Sequence, residues 1–179
     1  MRVDLPYRPC VGIAVFDDVG RVLLGERIGY SGEWQLPQGG IDKGERAVDA
    51  AFRELREETG VRSARLIART VDEVSYDIPA EITVFKGKYR GQRQFWFAFE
   101  ISDLSEINVH TKHAEFQAHR FAPLSSIGDS IVSFKRDLYR TIGRVFSPLA
   151  VPRSVLHARY QRKHGDVFSR ADDIRAVWR

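Results

Sequence analysis

Cysteine is almost missing from this chain of 179 residues, with Cys10 standing alone. Its solitude excludes an internal disulfide framework and any zinc site built from thiolates, and it suits a reducing compartment. No apolar run approaches the ~20 residues needed to span a bilayer. The start, Met1-Arg2-Val3-Asp4-Leu5-Pro6, has no apolar core of a secretory signal. The expectation is therefore a soluble, unexported, cytoplasmic protein. Repeats and low-complexity tracts are absent as well. What is present is a hydrophobic fraction of 43%, enough for one substantial core, in a length suited to one domain. The 28 Lys and Arg exceed the 24 Asp and Glu to give a formal +4, which favours an anionic partner without specifying it.

Two β-rich runs, Val11 to Phe16 and Arg21 to Gly25, flank the turn cluster Asp17-Asp18-Val19-Gly20 and read as a hairpin. Cys10 opens the first run and is expected as a small core residue. A loop rich in breakers follows, with Trp34 and Leu36 anchoring a short strand. From Glu45 to Thr59 the pattern becomes helical, with an apolar stripe of Val48, Ala51, Phe52 and Leu55, and Gly60 supplies the stop. Ala64 to Val71, Glu73 to Tyr76 and Gln94 to Glu100 are strand candidates. In the last, Phe95, Phe97 and Phe99 alternate with Trp96 and Ala98, so both faces should be covered. A second helix is read over 130–146 from Ile131, Phe134, Leu138, Ile142 and Val145. Ser147-Pro148-Leu149-Ala150-Val151-Pro152 breaks it. Residues 1–150 thus read as one α+β domain, and 151–179 as a basic extension of unknown order.

Chemistry concentrates between Gly39 and Val61. Glu54, Glu57 and Glu58 are spaced i, i+3 and i+4, which gathers three carboxylates on one helix face. Glu57 and Glu58 fall in the last turn, where the macrodipole disfavours anions by ~0.3–1 kcal/mol each. A solvated charged face, relieved by Arg53 and Arg56, is the ordinary explanation of a Glu-rich helix. A bound divalent cation removes the conflict, because hard carboxylate oxygens suit Mg²⁺ or Mn²⁺, and the metal can then hold phosphate oxygens. Gly39-Gly40 just before the helix lets a ligand approach the main chain closely.

Over these 23 consecutive residues the segment resembles the Nudix box at every defined position. The resemblance implies an α/β/α sandwich with a mixed β-sheet, the box forming a loop-helix-loop against it. It implies that Glu54, Glu57 and Glu58 bind catalytic Mg²⁺ or Mn²⁺, two or more ions per site, with the Gly39 carbonyl as a further ligand. Arg53 would orient a glutamate, while Glu45 and Gly60 would be structural. Outside the box, Tyr7-Arg8-Pro9-Cys10-Val11-Gly12-Ile13, Gly91-Gln92-Arg93-Gln94-Phe95-Trp96-Phe97, Glu115-Phe116 and Ser133-Phe134-Lys135-Arg136-Asp137 resemble the bacterial RNA pyrophosphohydrolases and dinucleoside polyphosphate hydrolases. By this likeness Glu115 is a further metal ligand or the general base. Arg8, Arg27 and Lys135 hold phosphates, and Phe134, with Tyr76 and Val132, contacts a base.

The expected reaction is attack of water on phosphorus, removing pyrophosphate or phosphate from an RNA 5′ end, with Glu58 and Glu115 as candidate bases. A dinucleoside polyphosphate is the alternative substrate. A non-hydrolytic nucleotide sensor is disfavoured because all three box glutamates are kept. Gln117-Ala118-His119-Arg120-Phe121 and Val71-Asp72-Glu73 depart from relatives that carry Asp and Trp there. Neither a membrane nor a protein partner is implied, and the five histidines form no metal-binding pair.

Overall fold

A computed structural model describes residues 4–82 and 85–164. Strands β1 (Tyr7–Phe16) and β2 (Arg21–Arg27) form the expected hairpin, closing at Phe16 opposite Val22. Asp17 fastens the turn by accepting from the amides of Val19 and Arg21 and from the Arg21 guanidinium. Short strands β3 (Trp34–Gln35) and β4 (Gln38–Gly40) pair with β2 and β1. Helix α1 (Ala47–Thr59) follows, then β5 (Arg65–Arg69), β6 (Val74–Asp77) and β7 (Gly91–Glu100).

β1 and β7 are the spine. They run parallel over ten paired residues, from Tyr7 opposite Gly91 to Phe16 opposite Glu100, while the neighbouring pairs are antiparallel, so the sheet is mixed as expected. Both spine strands are buried on both faces, which is why their sequences run almost continuously apolar. On one face Val11, Ile13, Val15, Phe97 and Phe99 pack with Ala50, Ala51 and Leu55 of α1. On the other, Ala14, Trp96 and Ala98 pack with Leu138, Tyr139 and Ile142 of a second helix. The result is the α/β/α sandwich.

Three details differ from the sequence reading. A further strand, β8 (Phe116–Pro123), pairs along β2, and Phe116 lies so close over Gly25 that a Cβ there would meet the ring at 2.2 Å. Its exposed Gln117, His119 and Arg120 hid the alternation. The second helix begins later than residue 130, because Ser133–Lys135 form a 3-10 turn before α2 (Arg136–Val145). Phe52 and Val145, assigned to apolar stripes, are exposed, although Phe52 still meets Phe99 edge to face at 4.9 Å.

Beyond the Pro152 break the chain forms α3 (Arg153–His164). It is tied down by the Arg153 amide donating to the Asp18 carbonyl at 2.8 Å, by an ion pair of Arg153 with Glu100 and by a 3.4 Å contact of His157 with the same carboxylate. Residues 165–179 of the expected extension lie outside the described residues. No helix among the described residues is long and apolar enough to cross a membrane.

Gly12 sits under the Trp96 indole, where a Cβ would fall 2.3 Å from the ring. Gly12→Ala is expected to cost roughly 1–3 kcal/mol by overpacking. Thermal unfolding checks this, and an unchanged Tm would mean that the ring is free to move.

Candidate active site

The box builds its site from three segments locked together by Arg53. The guanidinium donates Nε to Glu45 Oε1 at 2.9 Å, Nη2 to Glu45 Oε2 and the Gly40 carbonyl at 2.8 Å each, and Nη1 to Glu54 Oε1 at 2.7 Å. A weaker contact reaches Glu57 at 3.5 Å. This planar fork joins the helix, the loop before it and strand β4, a geometry open to arginine and not to lysine. Glu45 also accepts from the Asp42 amide, closing the loop. Gly60 ends α1 with φ +74 and its amide donating to the Arg56 carbonyl.

Glu58 is the anomaly. It is 2% exposed, not part of a solvated face. One oxygen accepts from the Gln38 amide at 3.0 Å, and Oε1 is buried with no hydrogen-bond partner. Burial pushes its carboxyl well above the ordinary glutamate range, and the charges of Glu115 and Glu54 push the same way. Burial also raises Glu54, partly countered by Arg53. Glu115, from just before β8, is carried in by a loop anchored on the end of α1. The Asn108 amide donates to the Thr59 carbonyl at 2.8 Å, and the Thr111 hydroxyl donates to the Glu57 carbonyl. These bonds also satisfy carbonyls that the helix terminus would leave unpaired. At Gly39, a Cβ would coincide with the Glu54 carboxyl, 1.8 Å from its Cδ, so only glycine lets β4 and that carboxylate approach so closely.

Cationic and aromatic groups lie near these acids, Lys135 close enough to feel Glu58 and Glu115. Lys135 is 7% exposed, its Nζ 3.5 Å from Gln35 Oε1 and 5.4 Å from the Tyr76 ring centre. Burial, with Arg27 second, lowers its pKa to about 8 against the opposing charges of Glu58 and Glu115. Phe134 is half-buried, 5.9 Å from Tyr76 between ring centres, and it packs with Val132 on the core's margin. Tyr76 is buried and donates its hydroxyl to Gln92 at 2.7 Å. Arg8 lies over Phe85 at 4.6 Å and Arg27 over Tyr30 at 4.4 Å.

Sequence reasoning missed a chain of amides beneath these groups. Gln94 Nε2 donates to Gln92 at 2.9 Å and to Gln38 at 3.1 Å, so hydrogen bonds run from Tyr76 to the residue whose amide holds Glu58. The signal was available: two glutamines, Gln92 and Gln94, on one face of an otherwise apolar strand. Cys10 is buried as expected, its thiol pushed up to about 11 by burial.

The NUDIX domain family model matches residues 6–142. The chain belongs to the Nudix family. An RNA pyrophosphohydrolase of Sphingopyxis alaskensis is 48% identical over 151 residues, covering 81% of this chain and 96% of its own. One of Mesorhizobium japonicum is 46% identical, covering 83% and 95%. Among solved structures the fold matches the E. coli dihydroneopterin triphosphate pyrophosphohydrolase, with TM-score 0.60, 20% identity and coverage of 76% and 96%. It also matches a C. elegans Ap4A hydrolase, with TM-score 0.58, 17% identity and coverage of 79% and 98%.

Nudix hydrolases generally use divalent metal ions, and the residues present suit one: hard carboxylate oxygens, an unpaired buried oxygen on Glu58, and a glycine at the point of closest approach. Among the described residues no three His, Cys, Asp or Glu side chains are yet gathered around one point, while Arg53 engages Glu54 and Glu57.

Without metal, Glu58 titrates above its unfolded value of 4.5. The folded protein then holds the extra proton, so stability falls as pH rises from that value through the folded one. In EDTA, Glu58→Gln is expected to raise Tm at pH 8, with the gain shrinking towards pH 5. A gain independent of pH would contradict this account.

Proposed function

We propose that the chain is an RNA pyrophosphohydrolase that hydrolyses the phosphoanhydride at a triphosphorylated or diphosphorylated 5′ end, releasing pyrophosphate or phosphate. The observation that carries the reading is Glu58, buried with one oxygen unpaired between Glu54 and Glu115, in a cleft shared with Lys135. The names of relatives almost half identical along nearly their full length support the RNA substrate.

Glu54, Glu57, Glu58 and Glu115, with the Gly39 carbonyl, would hold Mg²⁺ or Mn²⁺, two or more ions together. Bound there, the metal neutralises the phosphate chain and lowers the pKa of an attacking water. Arg53 sets the angle of Glu54 and partly offsets the burial that raises its pKa. Arg8 and Arg27, resting on aromatic rings, are within a side-chain swing of an arriving polyphosphate, and Lys135 exchanges its weak bond with Gln35 for a phosphate oxygen. Phe134 and Val132, backed by Tyr76, offer an apolar shelf to a base, a contact worth ~1–3 kcal/mol. Water adds to phosphorus, the anhydride P–O bond breaks, and the water's proton passes to Glu58 or Glu115.

In Mg²⁺, Glu57→Gln and Glu58→Gln are each expected to lower kcat by roughly 10²-fold or more, the scale of a removed acid–base group. Wild-type turnover in either variant would overturn the assignment. A dinucleoside polyphosphate needs the same clamp and shelf. Measuring kcat/KM on 5′-triphosphorylated RNA and on diadenosine tetraphosphate decides between them, and a large preference for the dinucleotide would reverse the ranking.

A further inference from the structure

Helix α2 continues away from the cleft in a form the reaction does not use. Its first residue, Arg136, follows Lys135 directly, and Arg140 and Arg144 repeat at steps of four. Residues so spaced share one helix face and climb by about 6 Å per step, about 12 Å in all. The three arginines are exposed, and they line a groove of about 930 Å³ together with Ser125 and Asp129 from the segment before α2 and Ser147 just after it. Arg140 pairs with Asp137 at 3.0 Å, both groups open to solvent, so that pairing is cheap to exchange. Among the described residues no carboxylate pairs with Arg136 or Arg144. Arg144 suits the negative end of the helix dipole, but that reason does not extend to Arg136 at the opposite end.

We infer that this groove is the track for the RNA beyond its first nucleotides, with Arg136, Arg140 and Arg144 each taking a backbone phosphate. The inference rests on the RNA reading above and adds to it where the body of the substrate lies. The strand leaves the cleft at Lys135 and meets Arg136 one residue later, so the track begins where the shelf ends. Guanidinium forks match phosphate oxygens in pairs, and the rise of the ladder is close to the step between phosphates of a stretched strand. Ser125 adds a hydroxyl to the lining. A dinucleoside polyphosphate has no phosphodiester backbone beyond its polyphosphate bridge to offer the ladder, so the groove selects for a longer strand and not for the bases it passes.

The test combines Arg136→Ala, Arg140→Ala and Arg144→Ala in the full chain, with Tm as the check on folding. Two measurements separate this inference from the functional reading. In the first, fluorescence anisotropy without divalent cations follows binding of a 12-nucleotide RNA with a 5′ hydroxyl, which reports the track irrespective of turnover. The wild type is expected to bind roughly tenfold more tightly than the triple variant, and its log–log salt slope is expected to be steeper by about 2, given roughly 0.7 per phosphate of a single strand. In the second, the kcat/KM advantage of a triphosphorylated 12-mer over a triphosphorylated dinucleotide is expected to fall at least fivefold in the triple variant, through KM. Equal RNA binding by the two proteins overturns the track and leaves the ladder to some other anion, such as an acidic protein surface. Ladder-dependent binding with no hydrolysis of any RNA by the wild type supports the track and overturns the functional reading instead.

Discussion

An ionised carboxylate can stay in a protein interior only if positive charge or hydrogen-bond donors come to meet it. Glu58 receives a single backbone donor, from Gln38, and is faced by two further acids. Arg53 spends its charge on Glu45, Glu54 and Glu57, so it relieves Glu58 only indirectly. The remaining deficit is a demand for a cation, and the rest of the site is arranged around it. The loop 108–115 is pinned to the end of α1, which holds Glu115 where its charge adds to that demand. Gly39 gives up its side chain so that Glu54 can lie against the sheet. Local stability is sacrificed for affinity, the pattern expected of a functional site.

The site also brings both signs of charge together. Carboxylates gather on α1 and at Glu115, while Arg8 lies against Gly40 of the box and Lys135 is close enough to respond to Glu58, Glu115 and Arg27. The glutamine chain from Tyr76 through Gln92 and Gln94 to Gln38 fastens the site with neutral hydrogen bonds, which hold geometry without shifting the charge balance.

Much of this was legible in the residues. The alternation of Phe95 to Phe99 with Trp96 and Ala98 reported a strand covered on both faces, and two layers of helix cover it. The i, i+3, i+4 glutamates reported a charged face. What periodicity could not report was depth: it placed Glu58 with its neighbours at the surface, whereas the turn of α1 and the loop before β8 enclose it. Strand β8 escaped because its solvent-facing residues are large and polar and its inward ones sparse, and a strand recognised by its partner β2 carries little signal of its own. Arg53 was legible as a partner of glutamate, but its hold on the Gly40 carbonyl depends on a chain reversal that only the folded backbone shows.

The parallel ladder of β1 and β7 joins segments about eighty residues apart in the chain. Such pairing carries a large loop-closure entropy and forms late relative to local hairpins and helices. Gln38, held on β4 against β1, and Gln92 and Gln94, carried by β7, meet only through that ladder. During synthesis the box helix can therefore form with its acids while the rest of the site is still unbuilt, and the emerging chain remains an incomplete vessel until β7, then Glu115 and Lys135, have cleared the ribosome.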